Sequence, residues 1–352
     1  MKTALYKTID QKFIKEWQLL WEKSSYANYT NSPQWFLSAV DAFKFKNYAI
    51  IAIYEEEKLI ATGAFVKEKK YGLSVYTIAP ADFVCGEPFL LDWENKLLIK
   101  TFVANLLALG IVNFTNLPEK IVLALQKETK QLNVTKQTIN LFFSIKKDDK
   151  EKVLIPKRSR LTNRIRGLEE QFVMESFDGT NSKGLELVFS IDKESSKEKK
   201  GYSAFANKNI RSFYKNLSQK LEKKFLVAVM FYNEKPIAYY IGFIVKGVFY
   251  WSQNAYISEY GQYSPGKVLL VKLIDFLGTK NVTEIDFGSG DYPMKRLLTD
   301  EYRDMYQMTI SKNAFVRLYM QYINKIENNL YEKLYNNKML YATYRKGKKL
   351  IK

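Results

Sequence analysis

Apolar positions along the chain fall into blocks of two kinds. The runs 48–54 (YAIIAIY), 225–231 (FLVAVMF) and 236–245 (PIAYYIGFIV) are nearly unbroken, as in strands covered on both faces. Other stretches space their apolar residues three or four apart and read as helices at 93–109, 118–132 and 266–278. Further strands are expected at 72–79, 111–115, 138–145, 172–177, 248–256, 283–287 and 304–311. Hairpins mixed with crossover helices predict an α/β fold on a mixed sheet (α+β in character), not a regular βαβ alternation. The apolar window 97–114 is broken by Lys100 and Asn105, and 226–251 by Asn233-Glu234-Lys235-Pro236. Neither reads as a membrane span.

The hairpins repeat. Segments 48–65 and 225–242 share one grammar of apolar strand, polar turn and second strand. Glu57-Lys58, Ile60 and Ala61 return 177 residues later as Glu234-Lys235, Ile237 and Ala238. Phe36 returns as Phe213 at the same offset, each in a helix-like stretch ahead of its hairpin. This predicts a duplicated unit, with domains at 1–150 and 151–311 and a basic amphipathic helix and tail at 312–352. The charged run 146–152 reads as a linker or as a solvated turn. A basic, helical segment follows at 155–170 with Lys157, Arg158, Arg160, Arg164 and Arg166. Residues 192–202 read as a polar loop and 288–299 as a loop and helix.

Composition narrows the chemistry. The chain has 352 residues and a formal charge of +18, with 47% apolar and 15% aromatic residues, enough to build a core. Cys85 is the single cysteine, so an internal disulfide or a cysteine-based metal site is excluded, and a reducing compartment is expected. There is no histidine, which removes Ser-His-Asp and Cys-His nucleophile systems and histidine proton shuttles. Proton chemistry then falls to Asp, Glu, Tyr, Lys, Ser or water, and no metal is expected. The N-terminus lacks an apolar signal region, so a cytoplasmic location is expected.

Two loops carry candidate chemistry. In Tyr260-Gly261-Gln262-Tyr263-Ser264-Pro265-Gly266-Lys267, Ser264 suits an N-cap and Pro265 the first helical position. Gly261 and Gly266 permit close backbone approach, and the first-turn amides beside Lys267 would attract a phosphate; an ordinary capped helix start remains the alternative. In Asp286-Phe287-Gly288-Ser289-Gly290-Asp291-Tyr292-Pro293-Met294-Lys295-Arg296, a strand ends in two glycines. It then presents a carboxylate, a phenol and a Lys-Arg pair. Asp291 could equally cap a helix and Lys295 lie on the surface.

These residues, with the basic run 157–166, resemble the C-terminal half of the CelD/BcsL-type acyltransferases. Those are tandem GNAT-fold proteins (GNAT being the acyl-CoA N-acyltransferase fold) related to the FemAB/FemX peptidoglycan aminoacyltransferases. The family usually has Tyr immediately before the lysine, where this chain has Met294, with Tyr292 two residues earlier. The resemblance implies tandem GNAT-like domains and acyl-CoA, acetyl-CoA foremost, as co-substrate. Its pantetheine arm would lie between the splayed strands 248–256 and 283–287, with the pyrophosphate on the backbone around Gln262, Ser264, Gly266 and Lys267, beside Tyr256. An amine or hydroxyl would attack the thioester directly. Asp291 is the first candidate base, with Asp286 and Glu259 beside it. Lys295 would bind phosphate or stabilise the oxyanion, Tyr292 is a candidate phenol, and Arg160, Arg164 and Arg296 are candidate substrate binders.

The expected acceptor is a small-molecule, lipid-linked or nucleotide-linked glycan of the cell envelope or an exopolysaccharide precursor. One rival keeps the fold and takes an aminoacyl group from tRNA to a peptidoglycan precursor, which the positive charge would suit. Another is a catalytically silent module docked on membrane or nucleic acid. Residues 312–352, with ten Lys/Arg and six Tyr, would then provide peripheral contact with the inner face of a membrane. A helix packed on its own domain is the plainer reading of that segment.

Overall fold

The computed structural model describes residues 1–80, 85–148 and 152–336. The chain opens with β1 (Lys2–Tyr6), α1 (Gln11–Lys23), α2 (Pro33–Phe43), β2 (Tyr48–Glu55), β3 (Lys58–Lys70), β4 (Leu73–Thr77), α3 (Lys96–Leu109), β5 (Val112–Pro118), α4 (Glu119–Glu128) and β6 (Leu132–Ser144). It continues with α5 (Arg158–Thr162), β7 (Phe172–Asp178), α6 (Ser182–Lys193), α7 (Ser196–Lys199), α8 (Lys208–Leu221), β8 (Phe225–Tyr232), β9 (Lys235–Val245) and β10 (Val248–Tyr256). Then come α9 (Pro265–Gly278), β11 (Glu284–Ser289), β12 (Tyr302–Ile310) and α10 (Ala314–Asn336).

Two compact units divide the chain discontinuously. The first holds Met1–Asn140 and Arg303–Leu330, and the second is built on Leu141–Tyr302. The expected boundary at 150/151 and the tail 337–352 lie outside the described residues. On either side of that boundary the flanking residues pair, with Asp148 N donating to Lys152 O at 2.9 Å, Leu154 N to Lys146 O at 2.8 Å, and Lys147 bridging Val153. Residues 312–330 belong to the first unit. There Asn324 is buried and donates to Asn113 Oδ1, and Gln321 accepts from Asn133 Nδ2.

Each unit repeats the same path. In the first, β1-β2-β3-β4 are antiparallel neighbours, and β4 then meets β5 in parallel across α3. In the second, β7-β8-β9-β10 are antiparallel neighbours, and β10 meets β11 in parallel across α9. The duplication reaches a local irregularity: the β2–β3 ladder shifts register between Ile53 and Tyr54, and β8–β9 between Met230 and Phe231, again 177 residues apart. Ala49–Ile53 and Phe225–Met230 are buried at every position, so both faces of these strands are covered. Phe13, Trp17 and Trp21 bury one stripe of α1, which Asp10 opens by accepting from Phe13 N at 2.7 Å. After β11 the chain returns to the first unit, where β12 pairs antiparallel with β5.

Several expectations need correction. The helix read over 93–109 starts at Lys96 because Asn95 caps it, accepting from Leu98 N at 3.0 Å. The helix read over 118–132 stops at Glu128, and β6 starts at Leu132 instead of 138. The polar loop at 192–202 is the end of α6 and the whole of α7, and the 288–299 segment forms only a single 3-10 turn, Lys295–Leu297. No helix among the described residues is long and apolar enough to cross a membrane.

Candidate active site

The second unit opens a cleft between two parallel strands. The β10–β11 ladder has three register pairs, Val248↔Glu284, Phe249↔Ile285 and Tyr250↔Asp286. β10 runs on to Tyr256 and β11 to Ser289, so the two strands part beyond Tyr250 and Asp286. A register shift against β9 between Trp251 and Gln253 bends β10 at the point of divergence. Beyond the bend, Ile257 N donates to Ile237 O at 2.8 Å. Strand alternation therefore aims the backbone groups of Asn254 and Tyr256 at the opposite edge, the side that β11 leaves.

One wall of the cleft ends in the 3-10 turn Ser258–Tyr263 and the start of α9. Ser264 occupies the N-cap position and Pro265 the first helical position, but Ser264 makes no side-chain cap bond. Its backbone is left-handed (φ +52°) and closes the turn itself, accepting at its carbonyl from Lys267 N at 2.9 Å. A Cβ on Gly261 or Gly266 would touch only the Tyr256 ring, at 3.7 and 3.8 Å, so both glycines border that ring. Tyr240, buried beneath, donates to Gly266 O at 3.0 Å, and burial pushes its phenol up. Gln262 and Glu259 are exposed, and Lys267 and Tyr256 are half-buried.

The other wall ends in the glycine loop. Asp286, buried on β11, accepts from Gly288 N at 2.8 Å, and Gly288 and Gly290 take φ of +69° and +101°. The turned carbonyls converge on Lys295. This lysine is 5% exposed, and its Nζ donates to Gly288 O at 2.8 Å, Ser289 O at 3.1 Å and Gly290 O at 2.9 Å. An ammonium has three donors, and all three are directed at this loop. The Tyr292 ring lies under the same ammonium at 4.9 Å. Asp291 makes a bidentate pair with Arg296 at 2.8 and 2.9 Å. The Arg296 guanidinium, with Lys295 behind it, holds the Asp291 carboxyl below the usual carboxylate range. Arg296 also lies near Asp300 and over the Tyr302 ring.

The predicted residues thus gather on the two lips of one cleft: Tyr256, Glu259, Gln262, Ser264, Gly266 and Lys267 on one, Asp286, Asp291, Tyr292, Lys295 and Arg296 on the other. Arg160 and Arg164 are exposed, and the turn carrying Arg164 packs against Ser258–Tyr263. Arg158 of the same basic run instead pins α5 to α9 through a bidentate pair with Asp275, 2.6 Å at each contact. Sequence reasoning missed the far side of the sheet. There Asp192 is buried and accepts from Ser203 Oγ and from Tyr239 OH, while Tyr214, its phenol pushed up to about 12 by burial, hydrogen-bonds Ser252 Oγ at 2.6 Å. The spacing of Leu185, Val188 and Ile191 was the available signal for α6.

Residues 156–296, which contain both lips, match the family described as an acetyltransferase (GNAT) domain. Among curated proteins, none matches the sequence. Among solved structures, the chain is similar to FemX, at 10% identity over 90% of this chain and 99% of that one, with a TM-score of 0.65. It is also similar to the C-terminal domain (DUF2156) of a putative lysylphosphatidylglycerol synthetase from Agrobacterium fabrum, at 10% identity over 88% and 94% and a TM-score of 0.57. L-PGS from Bacillus licheniformis is similar at 14% identity over 90% and 96%, again with a TM-score of 0.57. The fold is of the GNAT type, with a GNAT domain spanning the candidate site.

Proposed function

We propose that the protein is an acyltransferase that takes an acyl group from acyl-CoA and passes it to an amine or hydroxyl of a cell-envelope or exopolysaccharide precursor. The parting of β10 and β11 beyond Tyr250 and Asp286 carries this reading. It frees the edge of β10 that carries the backbone of Asn254 and Tyr256, alongside the α6–α7 junction, where Ser195 bridges Ile257. At the cleft's outer end, Gly261 and Gly266 keep the surface low and the first turn of α9 with Lys267 favours phosphate. An acyl-CoA suits this geometry, with phosphates at the loop and thioester toward the apex.

The acceptor would attack the thioester carbon directly, and positioning with oxyanion stabilisation would supply most of the rate. Asp291 is ionised at neutral pH, but its pairing with Arg296 makes it a weak base. Glu259, exposed at the other lip, can also accept the proton through water. Lys295 serves the cleft by fixing the Gly288–Gly290 carbonyls. Titration calorimetry with acetyl-CoA tests the reading: one site per chain is expected, and absence of binding by any acyl-CoA would overturn it.

Two observations favour variants of this reading. Exposed Arg160, Arg164 and Arg166 beside the phosphate loop would suit an aminoacyl-tRNA donor in the same cleft. On α10, Phe315 and Tyr322 are 85% and 65% exposed, and Leu318, Tyr319 and Ile326 continue the same stripe beside Lys312 and Lys325. That stripe supports cytoplasmic work at the inner membrane face on a lipid-linked acceptor.

A further inference from the structure

The two units finish the tips of their repeated hairpins differently. In the second unit, β8 and β9 close at the pair Tyr232↔Lys235. There the Tyr232 ring packs on Tyr260 and Tyr263 of the turn before α9, at centroid distances of 5.9 and 5.2 Å, so rings fill the joint. In the first unit the equivalent pair, 177 residues earlier, is Glu55↔Lys58. A carboxylate stands where the second unit has a ring, and the segment before α3 brings Leu90, Leu91, Asp92 and Asn95 to the joint. The joint is left open as a cavity of about 650 Å³, bounded by the hairpin tip, residues 90–98 and the second half of α1. That volume is in the range of small-molecule sites.

The lining sorts into an apolar floor and a charged rim. Leu59, Leu90, Leu91 and Leu98 are at most 4% exposed and make the floor, and Leu19, 54% exposed, continues it to the surface. The charged groups are four carboxylates, Glu16, Glu55, Glu57 and Asp92, against two ammoniums, Lys23 and Lys58. In a chain with 55 Lys and Arg to 37 Asp and Glu, this rim reverses the overall balance. Two of the carboxylates are held by hydrogen bonds. Glu16 Oε2 accepts from Tyr54 OH at 3.1 Å, and Asp92 Oδ1 accepts from Glu94 N at 3.0 Å and Tyr26 OH at 3.3 Å. The same phenols register the negative field: burial first, then the charge of Asp92, pushes Tyr26 up, and burial, Tyr6 and Glu16 push Tyr54 up.

We propose that this cavity binds an aliphatic amine, its ammonium among the rim carboxylates and its carbon chain on the leucine floor. The inference stands apart from the acyl-donor reading, since every lining residue belongs to the first unit. An anion of the same size would meet the excess of carboxylates, and a neutral chain would leave them unanswered. A bare inorganic cation would leave the floor in contact with water. Lys23 and Lys58 are both exposed, so their ammoniums can turn outward into solvent when the ligand enters.

Calorimetric titration of the full chain with n-hexylamine, without and with CoA, tests this, beside hexan-1-ol and hexanoate as neutral and anionic probes of equal length. Hexylamine should bind at one saturable site with a Kd of about 1 mM or tighter. It should bind at least about tenfold more tightly than hexanol, with hexanoate weaker still. The double change Glu55→Gln and Glu57→Gln, at two exposed positions of the hairpin tip, should weaken hexylamine several-fold. Lys58→Gln should tighten it, a gain that no loss of folding can produce. Both effects should shrink as salt is raised. Equal affinity for hexylamine and hexanol, no hexylamine binding in the millimolar range, or indifference to all of these substitutions would overturn the site. Hexylamine bound only in the presence of CoA would place the amine in the acyl-donor cleft and overturn it equally.

Discussion

A single buried ammonium decides the shape of one lip of the cleft. Lys295 holds three carbonyls in a loop that two left-handed glycines have turned inward. Replacing it by Met leaves those carbonyls without their donor, and hydrogen bonds to charged groups contribute about 1.5–3 kcal/mol each. Lys295→Met should therefore lower the stability of the protein by about 2–3 kcal/mol, read from the urea midpoint at constant slope; an unchanged midpoint would refute the clamp. Asp291 makes a pH prediction. Its folded-state pKa is depressed, so its contribution is present above the unfolded value near 3.9 and is lost as pH falls through the folded value. The stability gap between wild type and Asp291→Asn should stay constant from neutral pH to about 5 and close below about 4. A gap that persists at acid pH would contradict the pairing with Arg296. The residues of this lip were legible in the sequence, but their roles were not. Asp286-x-Gly288-x-Gly290 announces a turn, whereas the direction of the Lys295 ammonium depends on carbonyl orientations that exist only after the turn has formed.

Among the elements, the strands and the duplication were the most legible, because unbroken apolar runs and a fixed offset are local signals. Both hairpins and the crossover helix α9 follow from them, and the structure adds a shared register shift at the same offset. Two features were hidden. The α6–α7 segment looked like a loop because its buried polar residues, Asp192 and Ser195, are satisfied by partners distant in sequence. The pairing of β12 with β5 was hidden because partner choice between distant strands is a matter of packing, not of local pattern. Glycines separate folding from binding. A Cβ on Gly242 of β9 would stand 2.3 Å from the Phe249 ring and 2.6 Å from Tyr250 O, so Gly242→Ala should destabilise by about 1–3 kcal/mol. Gly266 has room for a methyl and is the second residue of α9. Gly266→Ala should thus leave stability equal or higher by about 0.5–1 kcal/mol while weakening acetyl-CoA binding, checked by thermal unfolding and calorimetry on the same samples. Unweakened binding would move the phosphates away from this turn.

At the scale of the whole molecule, the proposed membrane contact would join a charge of +18 to the exposed stripe on α10. Co-sedimentation with vesicles should show binding to anionic but not to neutral lipid, weaker at high salt, and reduced by the double change Phe315→Ser and Tyr322→Ser. Binding left unchanged by the double change would leave the stripe without this role. The central claim, however, is that the parted strands β10 and β11 receive an acyl-CoA. The most direct measurement is thermal unfolding of the full chain with acetyl-CoA, longer acyl-CoAs and free CoA, each at low and physiological salt. A ligand at 100 times its dissociation constant adds about 2.7 kcal/mol of stability, and the account predicts such a shift at both salt concentrations. A shift seen only at low salt, or with no thioester at all, would contradict it.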